Sequence, residues 1–495
     1  MRTSLTLISL VAVLGMLAPA GAVARAADQP VPAATPGTAP SGRPGRAPLP
    51  GPSVQAGDEA ETDDADIDDA VDEGRAADRP ERARARREAA ARLRVANAVQ
   101  AALRRELRVL GDAGTCAQAR YVAYRRSNIE RDIVDQWYLV SQLWADSVLM
   151  SVPDPGRRAD RRDAVTRCHV DKGYVFLDRL WDNNTGGYYP RLYLTDMRVE
   201  REVRFTDDNS LAGLALLATA ETLERGPARQ QYLHAARQEA EFLMRSGLWD
   251  DTFGGGFWWN TSRDPGVGKP AQSNALAALF FARLHRETGV GTYRTWSLRT
   301  LDWLDGVLYD PTRQLYRWSV SYADPANRTG MVIHGRYFNY DQGIAIEAQL
   351  ESARPRREPG RLARAREIGR ALHVAFWGQE RGGYNLEAGI EQVYTSYAAW
   401  TSLGHLALHD ADGDPRWLDL ARRNADALEA AVREPDGGYA YRHYRCVDQY
   451  APGCESGLVR WVADHTRDTS AQAWPQHLQA AMALRLWPDR TARGD

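Results

Sequence analysis

Two carboxylates stand side by side in "RFTDDNSLAGLALLATAETL", Arg204 to Leu223, and an apolar run follows at once. Like charges placed together repel, so Asp207 and Asp208 need a reason to be neighbours. The first turn of a helix has unpaired N–H groups that Asp, Asn, Ser or Thr can cap, and its dipole favours negative charge. One cap residue meets that need, so Asp208, Asn209 or Ser210 alone would suffice. A second carboxylate gains only ~0.3–1 kcal/mol from the dipole and loses to its neighbour unless it has another task. In a sugar cleft, paired carboxyls act as acid and nucleophile or as acid and base. They stand roughly 5–5.5 Å apart in retaining glycosidases and roughly 6.5–9.5 Å apart in inverting ones. Repulsion raises the proton affinity of one, which then serves as the acid. Neighbours on a regular helix diverge by about 100°. Both are therefore expected to face one ligand with Asp207 extended ahead of the helix and Asp208 at or just before the cap. This chemistry leaves open which residue takes which role.

The elements that position the pair repeat along the chain. A Gly-Gly or Gly-like turn followed by aromatics recurs in "WDNNTGGYYPR", "WDDTFGGGFWWN", "YDPTRQLYRWS", "FWGQERGGYNLE" and "REPDGGYAYR", about 55 to 70 residues apart. Each turn follows an amphipathic helix and precedes a more apolar one, as in 228–247 then 271–287, 291–307 then 342–352, 358–376 then 395–408, and 414–432 then 470–486. Six apolar members begin near residues 133, 208, 271, 342, 395 and 470. With about six charged-faced partners as an outer layer, they predict an all-α fold, an (α/α)6 toroid.

All six inner helices then begin at one end of the toroid. Their starts are polar: "TDDNS" at 206–210, "AQSN" with Asn274, "NYDQG" with Tyr340, Asp341 and Gln342, "VYTSY" at 393–397, and "DTSAQ" at 468–472. Aromatics from the turns, among them Tyr188, Tyr189, Trp258, Trp259, Tyr316, Trp318, Tyr337 and Tyr384, wall the resulting cup. Flat aromatic faces with polar rims suit sugar rings. The chain has 15 Trp and 21 Tyr against 9 Phe, an excess of hydrogen-bonding aromatics that fits a glycan cleft.

The stretches "DDNSLAGLALLATAE", "GLWDDTFGGGFWWN", "SNALAALFFARLHRETG", "YRTWSLRTLDWLDGVLYD" and "NYDQGIAIEAQLE" resemble glycoside hydrolase family 76, the endo-α-1,6-mannanases and their relatives. They occur in the family's order and spacing, and the likeness covers roughly residues 115–490. The resemblance implies an (α/α)6 barrel, cleavage of α-1,6-mannosidic bonds with retention, and neither metal nor cofactor. It makes Asp207 the nucleophile and Asp208 the general acid/base, with Trp258, Trp259, Asn274, Tyr340, Asp341, Gln342 and Tyr189 as substrate-binding candidates. Where members usually have Tyr-Asn-Gln-Gly, this chain has Tyr340-Asp341-Gln342-Gly343. The Trp that often follows the Asp pair is replaced by "NSLAGL". Both departures bear on substrate preference. The insertion 192–205 lies just before the pair and is placed to narrow the cleft.

The rest of the chain bounds the reading. Residues 1–27 have a positive start, a short apolar run and small residues for cleavage, the pattern of an export signal. Residues 28–78 are a Pro/Gly/Ala tether followed by an acidic run, a disordered linker by composition. That run lacks the Gly turn and terminal Glu of a calcium loop. Residues 79–114 read as a charged helical lead-in, and 115–490 as the catalytic domain. Four cysteines fit an oxidising compartment. Cys446 and Cys454 bracket a short Pro-Gly loop and are expected to pair, leaving Cys116 with Cys168; the spacings match no zinc pattern. A net charge of -2 gives no field for nucleic acid or anionic lipid. No second long apolar run offers a transmembrane segment. A secreted or envelope-associated monomer acting on a mannan-type polysaccharide is expected. The alternatives are a non-catalytic glycan binder, a transglycosylase, and a sugar 2-epimerase, for which His334 and His465 fall near helix-start loops.

Overall fold

The computed structural model describes residues 69–106, 133–153, 159–193, 196, 198–354, 358–446 and 461–487. The export signal, most of the linker, Cys116 and Cys454 lie outside these residues. Cys446 is disulfide-bonded, and no described cysteine is free.

Twelve helices form among the described residues. Six are inner: α2 (Gln136–Met150), α4 (Thr206–Glu221), α6 (Ala271–Thr288), α8 (Asn339–Ala353), α10 (Thr395–Asp412) and α12 (Ser470–Leu486). Six are outer: α1 (Asp69–Glu106), α3 (Ala159–Arg179), α5 (Pro227–Arg245), α7 (Gly291–Val307), α9 (Pro359–Phe376) and α11 (Pro415–Val432). The inner helices are apolar around most of their circumference because they are covered on every side; Leu211 to Leu217 of α4 are all buried. The outer helices bury one stripe, as α11 does with Trp417, Leu418, Ala421, Ala425 and Leu428.

The ring closes. Each inner helix packs on the next, and α12 returns to pack on α2. Gln142 donates to Gln476 across that seam at 2.9 Å, and both amides donate to the buried Asp146 of α2. Helix α1 covers the seam by packing on α12, with Leu93 and Ala96 against Leu149, Ala480 and Ala483. It is the sixth outer helix. It begins at Asp69, within the stretch read from composition as linker, and is part of the toroid where the sequence suggested a lead-in. Its apolar stripe is diluted by Arg and Glu, so propensity is visible in the sequence while its docking partner, almost 400 residues away, is not.

The backbones of α8 and α10 touch at Gly343 and Gly404. A Cβ on Gly343 would stand 2.9 Å from Thr401 Cα, and one on Gly404 would stand 2.8 Å from the Gly343 carbonyl oxygen. Only glycine permits that approach.

The aromatic turns are small antiparallel hairpins. Trp181 bridges Tyr188, Trp249 bridges Phe257, Trp377 bridges Tyr384 and Arg433 bridges Tyr439. Short strands extend the rim: β1 (Ile133–Asp135) with β2 (Arg191–Tyr193), β3 (Lys269–Pro270) with β6 (Ser319–Ser321) and β7 (Val332–His334), β4 (Tyr309–Asp310) with β5 (Leu315–Tyr316), and β8 (Gln392–Tyr394) with β9 (Arg442–Arg445) and β10 (Trp461–Asp464). No described helix is long and apolar enough to cross a membrane.

Candidate active site

The inner helices begin without side-chain caps at α4, α6, α8 and α10. The next hairpin satisfies their first N–H groups instead. Thr206 N donates to the Trp259 carbonyl (2.8 Å), Ala271 N to Trp318 (2.7 Å), Asn339 N to Leu386 (3.0 Å) and Thr395 N to Tyr441 (3.1 Å). This arrangement decides the question raised by the aspartate pair. The N-cap of α4 is Phe205, and Asp207 and Asp208 are both inside the first helical turn. The expectation that Asp207 is extended and Asp208 sits at the cap is therefore corrected. Backbone pairing with the neighbouring hairpin takes over the capping, so neither carboxyl is needed as a cap. As helical neighbours their side chains leave the backbone about 100° apart, yet the Asp208 carboxyl still feels the charge of Asp207, so the two remain within one site's reach.

Asp207 turns toward α6 and its hairpin. Its Oδ2 accepts from Trp259 Nε1 at 3.2 Å, and its Oδ1 accepts from the Asp208 amide at 3.2 Å. It is 8% exposed. Burial lifts its proton affinity, while the Asp207 and Asp208 amides and the Trp259 indole favour the anion; the balance falls at about 6. Asp208 is partly exposed. Burial, then the charges of Asp207 and Asp135, push its proton affinity well above the carboxylate range, against the pull of Arg191. Gln136 Nε2 holds the Asp208 carbonyl at 3.1 Å. The pair thus splits into a carboxyl that ionises near pH 6 and one that keeps its proton.

The other candidates separate into two groups. Asn274 and Gln342 are wholly buried and do not face a ligand. Asn274 accepts from the Phe257 amide (2.7 Å) and donates to the Phe257 carbonyl (3.0 Å); Gln342 does the same at Tyr316, at 2.8 and 2.9 Å. Asn209 ties Tyr188 and Gln472 ties Tyr439 in the same way. These amides are the clips that lock each aromatic turn onto its inner helix. Trp258 is also withdrawn from the cup: it is 1% exposed, donates to Asp250 at 2.8 Å and lies under the Lys269 ammonium. Trp259 and Tyr189 remain partly exposed at the rim, Tyr189 beneath the Arg204 guanidinium. Tyr340 and Asp341 are covered, and Tyr340 stays within reach of the charge of Asp207. The Tyr340 ring packs 4.6 Å from Tyr397, and burial together with Asp341, Tyr397 and Asp207 raises its hydroxyl well above 10. Asp341 is 0% exposed and burial holds it strongly protonated.

Sequence reasoning missed Asp135 and Arg191. Asp135 is the polar start of the first inner helix, the same signal that singled out the other five. His334 bonds Ser321, and His465 bonds Glu434, so both have structural partners. A cavity of about 1420 Å³ opens at the opposite ends of the inner helices, among Trp144, Glu221, Arg283, Glu347, Asp410 and Arg485. Its charges pair with one another, Arg283 with Glu347 and Arg485 with Asp410.

The family model of glycosyl hydrolase family 76 matches residues 187–351, which include the pair, its indole donor and three clips. Over 104 residues the chain is 36% identical to mannan endo-1,6-alpha-mannosidase DCW1 of Eremothecium gossypii; the match spans 20% of this chain and 23% of that relative's length. The fold resembles that of a family 76 mannosidase from Bacteroides thetaiotaomicron, with a TM-score of 0.62 at 16% identity over 81% of this chain and 100% of that one. It also resembles an α-1,6-mannanase of Salegentibacter sp. HEL1_6, solved as an inactive variant with two consecutive aspartates changed to asparagine and α-1,6-mannotriose bound. That likeness has a TM-score of 0.56 at 18% identity over 79% of this chain and 99% of that one. Over residues 187–351 the chain is thus similar to glycosyl hydrolase family 76, and its fold is like that of the solved structures of that family.

Proposed function

We propose that this protein is a secreted retaining glycoside hydrolase that cleaves α-1,6-mannosidic bonds in mannan-type polysaccharide. The observation that carries the reading is the split between two adjacent carboxyls on the first turn of α4, neither of them used as a cap. Asp207, ionised above about pH 6, attacks the anomeric carbon and forms a glycosyl ester. Asp208, protonated, gives its proton to the departing glycosidic oxygen. Asp208, now a carboxylate, takes a proton from water, whose oxygen displaces Asp207 from the anomeric carbon. Two inversions give net retention, and both carboxyls return to their starting states. The Salegentibacter complex supports the assignment, since two consecutive aspartates were altered there in the inactive variant that holds an α-1,6-linked trisaccharide.

The test is incubation with linear α-1,6-mannan beside α-1,2- and α-1,3-linked controls, with the anomer first released followed by NMR. Cleavage of the α-1,6 polymer with the α-anomer appearing first is expected. Asp207→Asn is expected to lower turnover by at least about 10³-fold while the fold persists. Undiminished cleavage by that variant, or first release of the β-anomer, sinks the assignment.

A further inference from the structure

The guanidinium of Arg191 is 1% exposed. Burying a guanidinium costs several kcal/mol unless it is well paired, so its partners carry information. Arg191 Nε donates to Asp135 Oδ2 at 2.8 Å, and Nη1 stands 3.5 Å from Glu200 Oε2. Asp135 and Arg191 are direct partners in the β1–β2 ladder. Asp135 also caps α2 by accepting from the Tyr138 amide. The next residue, Gln136, donates its backbone N–H to Pro190 and its side-chain amide to the Asp208 carbonyl. One buried ion pair therefore joins both strands, the start of α2 and the second aspartate of α4.

The charges around the Asp208 carboxyl are Asp207 on its own helix, Asp135 at the junction of β1 and α2, and Arg191 on β2. Glu200 lies behind Arg191. Two anions and burial hold the proton on Asp208; Arg191 is the cation that opposes them. Without it, an acid of this kind would release its proton too reluctantly to aid a leaving group, and would not persist as the base for the second step. We propose that Arg191, clamped by Asp135, is a positioning residue that sets the proton affinity of Asp208 so that this carboxyl can alternate between acid and base. This rests on the acid/base reading of Asp208 given above.

The test is a pair of variants, Arg191→Met and Arg191→Lys, read in two ways. The first readout needs no turnover: the Asp208 carboxyl is titrated by ¹³C NMR of Asp-labelled protein and assigned with Asp208→Asn. Arg191→Met is expected to raise the midpoint by about one pH unit or more, and Arg191→Lys to restore most of it. The second is the pH profile of kcat on α-1,6-mannan. Its basic limb should move up with the midpoint in Arg191→Met, with kcat at neutral pH down about 10-fold and KM nearly unchanged. If Arg191→Met does not fold, Glu200→Gln is the substitute. It unscreens Arg191 and should lower the midpoint by a few tenths of a unit. An unmoved Asp208 midpoint in a folded variant overturns the proposal, as does equal loss in the Met and Lys variants with no movement of the limb. If the wild-type protein leaves α-1,6-mannan intact, the functional reading falls, yet the titration still decides whether Arg191 tunes Asp208.

Discussion

The indole N–H of Trp259 donates to Oδ2 of Asp207 at 3.2 Å, so one repeat of the toroid holds the carboxylate presented by the repeat before it. The bond favours the anion and works against burial, which lifts the same group to about 6. A nucleophilic carboxylate must be ionised, so activity should fall as pH drops through that value. Trp259→Phe keeps the ring against Phe205, 4.9 Å away, and removes only the donor. Its acidic limb should move upward by about half a unit to one unit, with kcat lower by about 2- to 5-fold at pH 6 and nearly unchanged at pH 8. A pH–rate series on α-1,6-mannan reads both. A limb that stays in place would mean that Asp207 is not the ionising group.

The amide clips should matter for stability and not for chemistry. Gln472 ties Tyr439 to α12, two inner helices round the ring from α4, through bonds of 2.8 Å each way. Gln472→Ala leaves a buried N–H and a buried C=O unpaired, at about 1–3 kcal/mol each. Asn274→Ala should cost a similar amount for the same reason. Denaturant melts should show both losses. Activity per folded molecule should remain within about threefold of wild type for Gln472→Ala; a drop of 100-fold with unchanged stability would return Gln472 to the substrate.

What the sequence made legible follows from local physics. Helix starts at 271, 395 and 470, and outer helices such as 291–307, are marked by apolar period, Pro, Gly and turn residues that lie within a few positions of the element itself. The roles of Asn274, Gln342 and Trp258 were not legible. A polar residue at a helix start has the same signature whether it faces sugar or the carbonyl of a turn 17 or 26 residues back. The misplacement of Asp207 ahead of α4 has the same origin. The groups that replace the cap come from Trp258 and Trp259, some 50 residues downstream, through the Thr206 hydroxyl and amide. Arg191 gives no local sign of burial, since an isolated Arg in a loop is ordinarily solvated.

Asp341 offers a linkage test. Its carboxyl is wholly buried and burial raises its proton affinity well above the ordinary 3.8, opposed by the Gln272 amide. A folded-state value above the unfolded one means that Asp341 helps stability fully below about pH 4 and that this help is lost as pH rises toward the folded value. Asn has nearly the same shape and no charge to desolvate. Asp341→Asn should therefore be more stable than wild type at pH 7, and the gap should close on approach to pH 4. Thermal melts across that range check the slope. A constant difference at all pH values would show that the carboxyl is not neutral in the fold.

Closure of the ring depends on a carboxylate far from the chemistry. Asp146 lies on α2, roughly 16 Å along the helix from Asp135. Its Oδ1 accepts from Gln100 of α1, from Gln142 of α2 and from Gln476 of α12. Three neutral amides from three helices converge on one anion, and they join the first and last inner helices to the outer helix that covers their seam. Asp146→Ala removes the acceptor and strands three buried donors, a loss of about 3–5 kcal/mol. Asp146→Asn keeps an oxygen in the place of Oδ1, where all three amides donate, but removes the charge, so it should cost about half as much. Hydrogen exchange should show the loss first in α1, α2 and α12, because these are the elements the carboxylate joins. The pH limbs of the remaining folded enzyme should stay where they are. Equal protection loss around the whole ring would mean that the toroid unfolds as one unit and that Asp146 is no more of a seam than any other buried contact.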